Sequence, residues 1–183
     1  SWQGEVWNRR QNGEIYPQWL TISAVRNDMG KPSHYVATLT DISLRRAAEQ
    51  EAHRLAFYDP LTGLPNRRML LERLAQALQA GEQQERQGAL VFIDLDGFKH
   101  INDSLGHQAG DDLLRLMSRR LVDVSGTAEL VARLGGDEFV ILAEDLGDTI
   151  EAASRRAERL ATRVLGMVAE PCWLGKRRHL LSG

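Results

Sequence analysis

Between the apolar runs 130–134 and 139–142 stand Gly135, Gly136, Asp137 and Glu138. Two adjacent glycines can take the positive backbone angles that a tight reversal needs, so the runs read as the arms of a β-hairpin over 128–144. The turn then carries two carboxylates beside backbone that no Cβ shields. Such a turn can serve folding alone. It also suits a metal ion and a phosphate brought close to the chain.

A second segment points the same way. The run Ala89–Ile93 is apolar throughout, predicting a buried strand over 89–95, and it leads into Asp94, Leu95, Asp96 and Gly97. The Asp94 carboxylate would emerge at the rim of the sheet, whereas Asp96 before Gly97 also reads as a helix cap. Three acidic groups, Asp94, Asp137 and Glu138, converging from adjacent strands would repel unless a divalent cation sat among them. Mg²⁺ takes oxygen ligands and usually binds through one or two carboxylates plus substrate phosphates, which matches this set; Mn²⁺ is the alternative.

Composition bounds the rest. A chain of 183 residues, 43% apolar, can bury a core. A formal net charge of −2 with interspersed signs offers no basic field for nucleic acid or an anionic membrane surface. The single cysteine, Cys172, excludes an internal disulfide and fits a reducing compartment, so the expected location is the cytoplasm. No apolar run approaches the roughly 20 residues that span a bilayer, so no membrane segment is expected here, although a longer parent could be anchored elsewhere. Neither end reads as a natural domain border, and the chain is expected to be an excerpt. No Gly-x-x-x-x-Gly-Lys-Ser/Thr pattern occurs, which sets aside a P-loop enzyme, and Cys172 has no partner motif for thiol chemistry.

Along the chain, 2–9, 14–26 and 34–42 read as three strands of an antiparallel meander, separated by turn clusters at 11–13 and 27–30. Pro17 inside the second run predicts a bulge or an edge position. Residues 43–57 predict a helix with a narrow apolar stripe (Leu44, Ala48, Ala52, Leu55) and Ser43 as its N-cap. It reads either as a two-stranded coil or as a solvated linker. The turn-rich stretch 59–67 ends one element and caps the next at Asn66. Helices follow near 67–80, 97–103, 108–124 and 149–168, with strand-like runs near 172–181. The apolar face of 149–168 should pack on the sheet. The order is that of an α/β (α+β) domain.

Gly135-Gly136-Asp137-Glu138-Phe139, with the Asp94 segment at the matching spacing, resembles the GGDEF family, the diguanylate cyclases. The resemblance covers 59–183, opening with Asp59, Leu61, Thr62, Leu64, Asn66 and Arg67, which are taken as structural. It implies a central, mainly antiparallel sheet covered by helices, similar to nucleotidyl cyclase and polymerase palm folds. Residues 1–42, through Trp2-Gln3-Gly4-Glu5, the turn at 9–14 and Thr40-Asp41-Ile42-Ser43, resemble the C-terminal half of a PAS sensor domain. The implied organisation is a PAS remnant (1–42), a linker or signalling helix (43–58) and a GGDEF domain truncated at its C-terminus (59–183).

The resemblance also implies roles. Asp94 and Asp137 bind Mg²⁺ with help from the Leu95 carbonyl and Glu138, and Asp137, Glu138 and Lys99 serve catalysis. Phe98 and Lys99 approach the triphosphate over Gly135 and Gly136. Asn102 and Asp111 read the guanine edge; read without the resemblance, they are a helix C-terminal residue and a helix-dipole partner. Asp59 is expected to pair with Arg133, and His107 to be structural. The implied reaction condenses two GTP into cyclic di-GMP and two pyrophosphates, in a homodimer formed through the linker helix and regulated by the sensor part. The alternatives are a non-catalytic GTP-binding regulatory module of a larger signalling protein, with or without a downstream phosphodiesterase domain, and a pure sensor and dimerisation fragment. The family's product-inhibition pair, Arg-x-x-Asp nine and six residues before the first glycine, is replaced here by Gly126 and Glu129.

Overall fold

The computed structural model describes residues 1–126, 129–174 and 177–179, leaving aside the side chains of 174 and 177–179. Contacts divide the chain into two units, Ser1–Arg54 and Leu55–Gly183.

The first unit is the expected meander: β1 (Trp2–Arg9), β2 (Ile15–Arg26) and β3 (Pro32–Asp41), antiparallel in the order β1-β2-β3. Asparagine side chains close both turns: Asn12 Oδ1 accepts from the Glu14 N–H at 3.0 Å and Asn27 Oδ1 from those of Met29 and Lys31 at 3.1 and 3.0 Å. Pro17 is neither on an edge strand nor at a bulge. It lies in the middle strand, opposite Trp7, one residue before pairing with β3 begins at Gln18, so its missing N–H breaks no ladder bond on that side. The irregularity falls at Val25/Arg26 instead.

Helix α1 (Ser43–Phe57) runs across the division and buries no residue fully. Ser43 does not cap it. Asp41 Oδ1 accepts from the Ser43 N–H at 2.9 Å, so the acceptor at the helix start comes from two residues upstream.

In the second unit a three-stranded antiparallel sheet has the order β4-β6-β5, formed by β4 (Gln87–Asp94), β5 (Glu129–Gly135) and β6 (Glu138–Gly147). Strand periodicity splits its side chains between two cores. Phe139, Ile141 and Ala143 of β6 join Ile93 and Val131 under α3 (Phe98–Leu105), α4 (His107–Ser125) and α5 (Ile150–Val168). Val140, Leu142 and Ala132 face α2 (Arg67–Gln84) through Leu70, with Leu74 and Ala77 against them. The buried face of α5 (Ala153, Leu160, Val164, Met167, Val168) packs on the sheet as its pattern required.

Two expectations need correction. Strand β4 is not buried on both faces: Ala89, Val91 and Ile93 turn to the larger core, but Leu90 and Phe92 are exposed, Phe92 at 70%. The apolar run alone could not reveal that this face of β4 stays exposed. Helix α2 continues to Gln84, past the predicted end near 80, and stops at Glu85 in the left-handed region (φ 54°). The strand-like run near 172–181 is a short hairpin, β7 (Cys172–Leu174) with β8 (Arg177–His179); residues 180 and 181 lie outside the described residues.

Arg120 donates to the carbonyls of Glu170 and Pro171 at 3.1 and 2.9 Å, tying α4 to the segment that leads into β7. Cys172 follows there, 1% exposed. Burial pushes its thiol above the ordinary value, against the opposing pull of Arg120.

Leu121, fully buried in α4, should cost about 2–5 kcal/mol when changed to alanine. Leu165→Ala, at a half-exposed position on α5, should cost well under about 1 kcal/mol. Urea denaturation of the two variants beside the parent chain checks the difference.

Candidate functional site

The sheet register builds the rim. Asp94, the last residue of β4, faces Glu138, the first of β6, and Glu138 also faces Gly135 at the end of β5. Gly136 and Asp137 are therefore the two central residues of the turn. Gly136 has φ 52°, the positive angle that a type II′ turn requires at its first central position, and Gly135 has φ 149°. An added Cβ at either glycine would meet nothing within 4 Å. These glycines answer to backbone angle, and the outer side of the turn stays open.

Asp94 and Glu138 are exposed and Asp137 is half-buried. Among the described residues no group of three or more His, Cys, Asp or Glu is gathered closely enough to hold a metal ion. The three carboxylates thus share one end of the sheet without the tight convergence that the sequence suggested. An open set of this kind leaves coordination positions for substrate oxygens, as Mg²⁺ commonly uses.

Arg133 fixes the turn from behind. Its Nε and Nη2 donate to the Gly136 carbonyl at 3.0 and 2.7 Å, and its Nη1 donates to Asp59 Oδ1 at 2.9 Å. Both side chains are largely shielded, 10% exposed for Arg133 and 17% for Asp59. The same Asp59 oxygen accepts from the Thr62 N–H and hydroxyl at 2.8 and 2.6 Å. Burial pushes the Asp59 carboxyl up, but the Thr62 and Arg133 donors outweigh it and hold the group below its ordinary value. The Asp59–Arg133 pair was expected from sequence; the bond onward to Gly136 was not. An arginine inside an otherwise apolar strand, three residues before the second glycine, was the available signal.

Asn66 joins two helices. Its Oδ1 caps α2 through the N–H groups of Arg68 and Met69 at 3.0 and 3.1 Å. Its Nδ2 and N–H donate to the last turn of α1, at Ala56 and Phe57, both at 2.9 Å.

After Asp94 the chain passes through buried Leu95 and left-handed Gly97 (φ 78°) into α3. The Leu95 carbonyl accepts from the Phe98 N–H at 3.2 Å. The Phe98 side chain packs against the core, while Lys99 on the same turn is exposed. At the other end of α3, Gly106 (φ 85°) donates its N–H to the Asn102 carbonyl at 2.9 Å and turns the chain into α4. Asn102 and Asp111 therefore belong to one α3–α4 hairpin, both half-buried, and His107 is exposed at the start of α4.

Gly126 ends α4 at φ 87°, a backbone angle at which an arginine would be strained. Glu129 opens β5 half-buried, with Oε2 buried and unpartnered; burial pushes its carboxyl up, against a weaker pull from Arg163.

The profile described as "Diguanylate cyclase, GGDEF domain" matches residues 56–171. The bifunctional diguanylate cyclase/cyclic di-GMP phosphodiesterase MucR of Pseudomonas aeruginosa PAO1 is 45% identical over 145 residues, 79% of this chain and 20% of its own length. The diguanylate cyclase TpbB of Pseudomonas aeruginosa UCBPP-PA14 is 42% identical over 120 residues, 66% of this chain and 26% of its own. The solved GGDEF domain of TpbB (YfiN) from strain PAO1 is 39% identical with a TM-score of 0.63, over 68% of this chain and 70% of that one. The chain belongs to the GGDEF family of diguanylate cyclase domains, and it spans about a quarter or less of these two curated relatives.

Asp59→Asn should destabilise the domain by about 1.5–3 kcal/mol at neutral pH, the range for a hydrogen bond to a charged partner. With the folded-state carboxyl lowered, the unfolded chain binds more protons in the acid range. The stabilisation is therefore complete above the unfolded value near ~3.9 and is lost as pH falls through the lowered folded value. Denaturation curves at neutral and acid pH should show the gap between Asp59→Asn and the parent closing on acidification.

Proposed function

We propose that this chain carries a diguanylate cyclase domain that joins two GTP into cyclic di-GMP with release of two pyrophosphates, each of two facing subunits presenting one GTP. The observation that carries the reading is the rim itself: Asp94 opposite Glu138, with Asp137 on the adjoining glycine turn, in a chain of this family. Asp94, Asp137, Glu138 and the Leu95 carbonyl would hold Mg²⁺ or Mn²⁺, which when bound lowers the pKa of an attacking hydroxyl and neutralises phosphate charge. Gly135 and Gly136 leave the turn backbone open for phosphates to lie close. Exposed Lys99 brings a mobile positive charge to the triphosphate, and the Phe98 contribution comes from its backbone, since its side chain is packed away. Asp111 accepts from the guanine N1–H and N2–H₂ groups and Asn102 addresses the acceptor side.

Setting two hydroxyls in line with two α-phosphates is chiefly a matter of proximity, so the geometry of the dimer governs rate. Leu44 and Leu55 of α1, 87% and 53% exposed, support pairing through that helix, with residues 1–42 as the remnant of a PAS sensor acting on it. A second reading, a GTP-binding module that regulates a neighbouring phosphodiesterase domain, draws on the bifunctional description of MucR.

Mg²⁺-dependent conversion of GTP should rise faster than linearly with protein concentration and fall at least about a hundredfold in Asp137→Ala. GTP binding without turnover at any concentration would favour the regulatory module, and absence of GTP binding would overturn both readings. Because Gly126 and Glu129 replace the inhibitory pair, product should inhibit only competitively and at high concentration. Sub-micromolar inhibition that disappears on changing Gly126 or Glu129 would refute this.

A further inference from the structure

Gly110 lies in the first turns of α4, buried, at a position where glycine is not needed for backbone reasons: it is not among the residues with positive φ. Alanine is the better helix former, and a buried glycine inside a helix weakens it. What glycine supplies here is space. A Cβ built at Gly110 would fall on Asn102 Oδ1 and stand 2.9 Å from Asn102 Cγ and 3.3 Å from Asn102 Nδ2; its three nearest neighbours are all atoms of that one side chain.

Asn102 Oδ1 is buried against Gly110 and takes no hydrogen bond there, so only the fit over Gly110 locates it. The backbone at Asn102 is fixed as well, by the Gly106 N–H at 2.9 Å. With Oδ1 seated over Gly110, the planar amide has one orientation left for its donor nitrogen. Asp111, the next residue after Gly110, is carried on the same turn of α4.

We infer that Gly110 is a positioning residue for guanine selectivity: the side chain it lacks is the notch that seats the Asn102 amide in register with Asp111. The inference rests on the GTP reading above. It assigns to a residue that touches no substrate the task of aiming one that does.

The experiment is calorimetric titration of this chain with GTP and with ATP, both with Mg²⁺, for the parent, Gly110→Ala, Asn102→Ala and the double variant, with thermal unfolding of all four. Gly110→Ala should weaken GTP binding about tenfold, roughly one well-made hydrogen bond, and leave ATP binding unchanged. The double variant should lose no more than Asn102→Ala alone, since the two residues act through one contact. It should also unfold no earlier than Asn102→Ala, because the added Cβ at position 110 then meets no Asn102 side chain; this arm stands even if Gly110→Ala by itself folds poorly.

Unchanged GTP binding in Gly110→Ala would overturn the inference and leave the GTP reading intact. Equal losses for GTP and ATP with a lowered melting temperature, or additive losses in the double variant, would do the same. A parent chain with no preference for GTP over ATP would overturn the GTP reading, and the inference with it.

Discussion

The Arg133 guanidinium sits between two acceptors of different kinds, the Asp59 carboxylate and the Gly136 carbonyl, and the backbone N–H of Arg133 donates to the Pro65 carbonyl at 2.9 Å. One residue thereby joins the loop that precedes α2 to the turn that carries Asp137. The loop is closed on itself by the Tyr58–Pro65 bridge and by Asp59, whose N–H reaches the Leu64 carbonyl at 2.8 Å and whose carbonyl takes the Gly63 N–H at 2.9 Å. A guanidinium loses little on desolvation when each face of its fork meets an acceptor, so the strand can carry this charge at 10% exposure. The turn is accordingly seated against protein on its inner side and open on its outer side.

Much of this fold follows from period-2 and period-3.6 patterns. The hairpin, the amphipathic face of α5, the cap at Asn66 and the linker helix were legible because local residue order decides them. Strand β6 shows why: its five consecutive residues 139–143 are all buried, and alternation sends them to two different cores. The family's site motif was legible for a related reason, since chemistry fixed both residue type and spacing.

What escaped depended on how the chain folds back on itself, which residue type alone does not decide. Leu90 and Phe92 are as apolar as their neighbours in β4, and strand alternation sets them on the face opposite the larger core, where they stay exposed. Ser43 has the composition of a cap, yet the Asp41 carboxylate takes the role because the chain leaves β3 in a conformation that brings that oxygen to the helix start. The Arg133–Gly136 bond and the Asn102 notch likewise arise only once turns have folded back. In each case the sequence holds the right residue type, and the partner is a matter of geometry.

The buried thiol of Cys172 has a practical consequence. A lone sulfur, shielded beside the anchor that Arg120 provides and with its pKa raised by burial, is closed to alkylating reagents until that corner of the core opens. Its modification rate is thus an internal clock for local opening, readable by mass spectrometry without any introduced label.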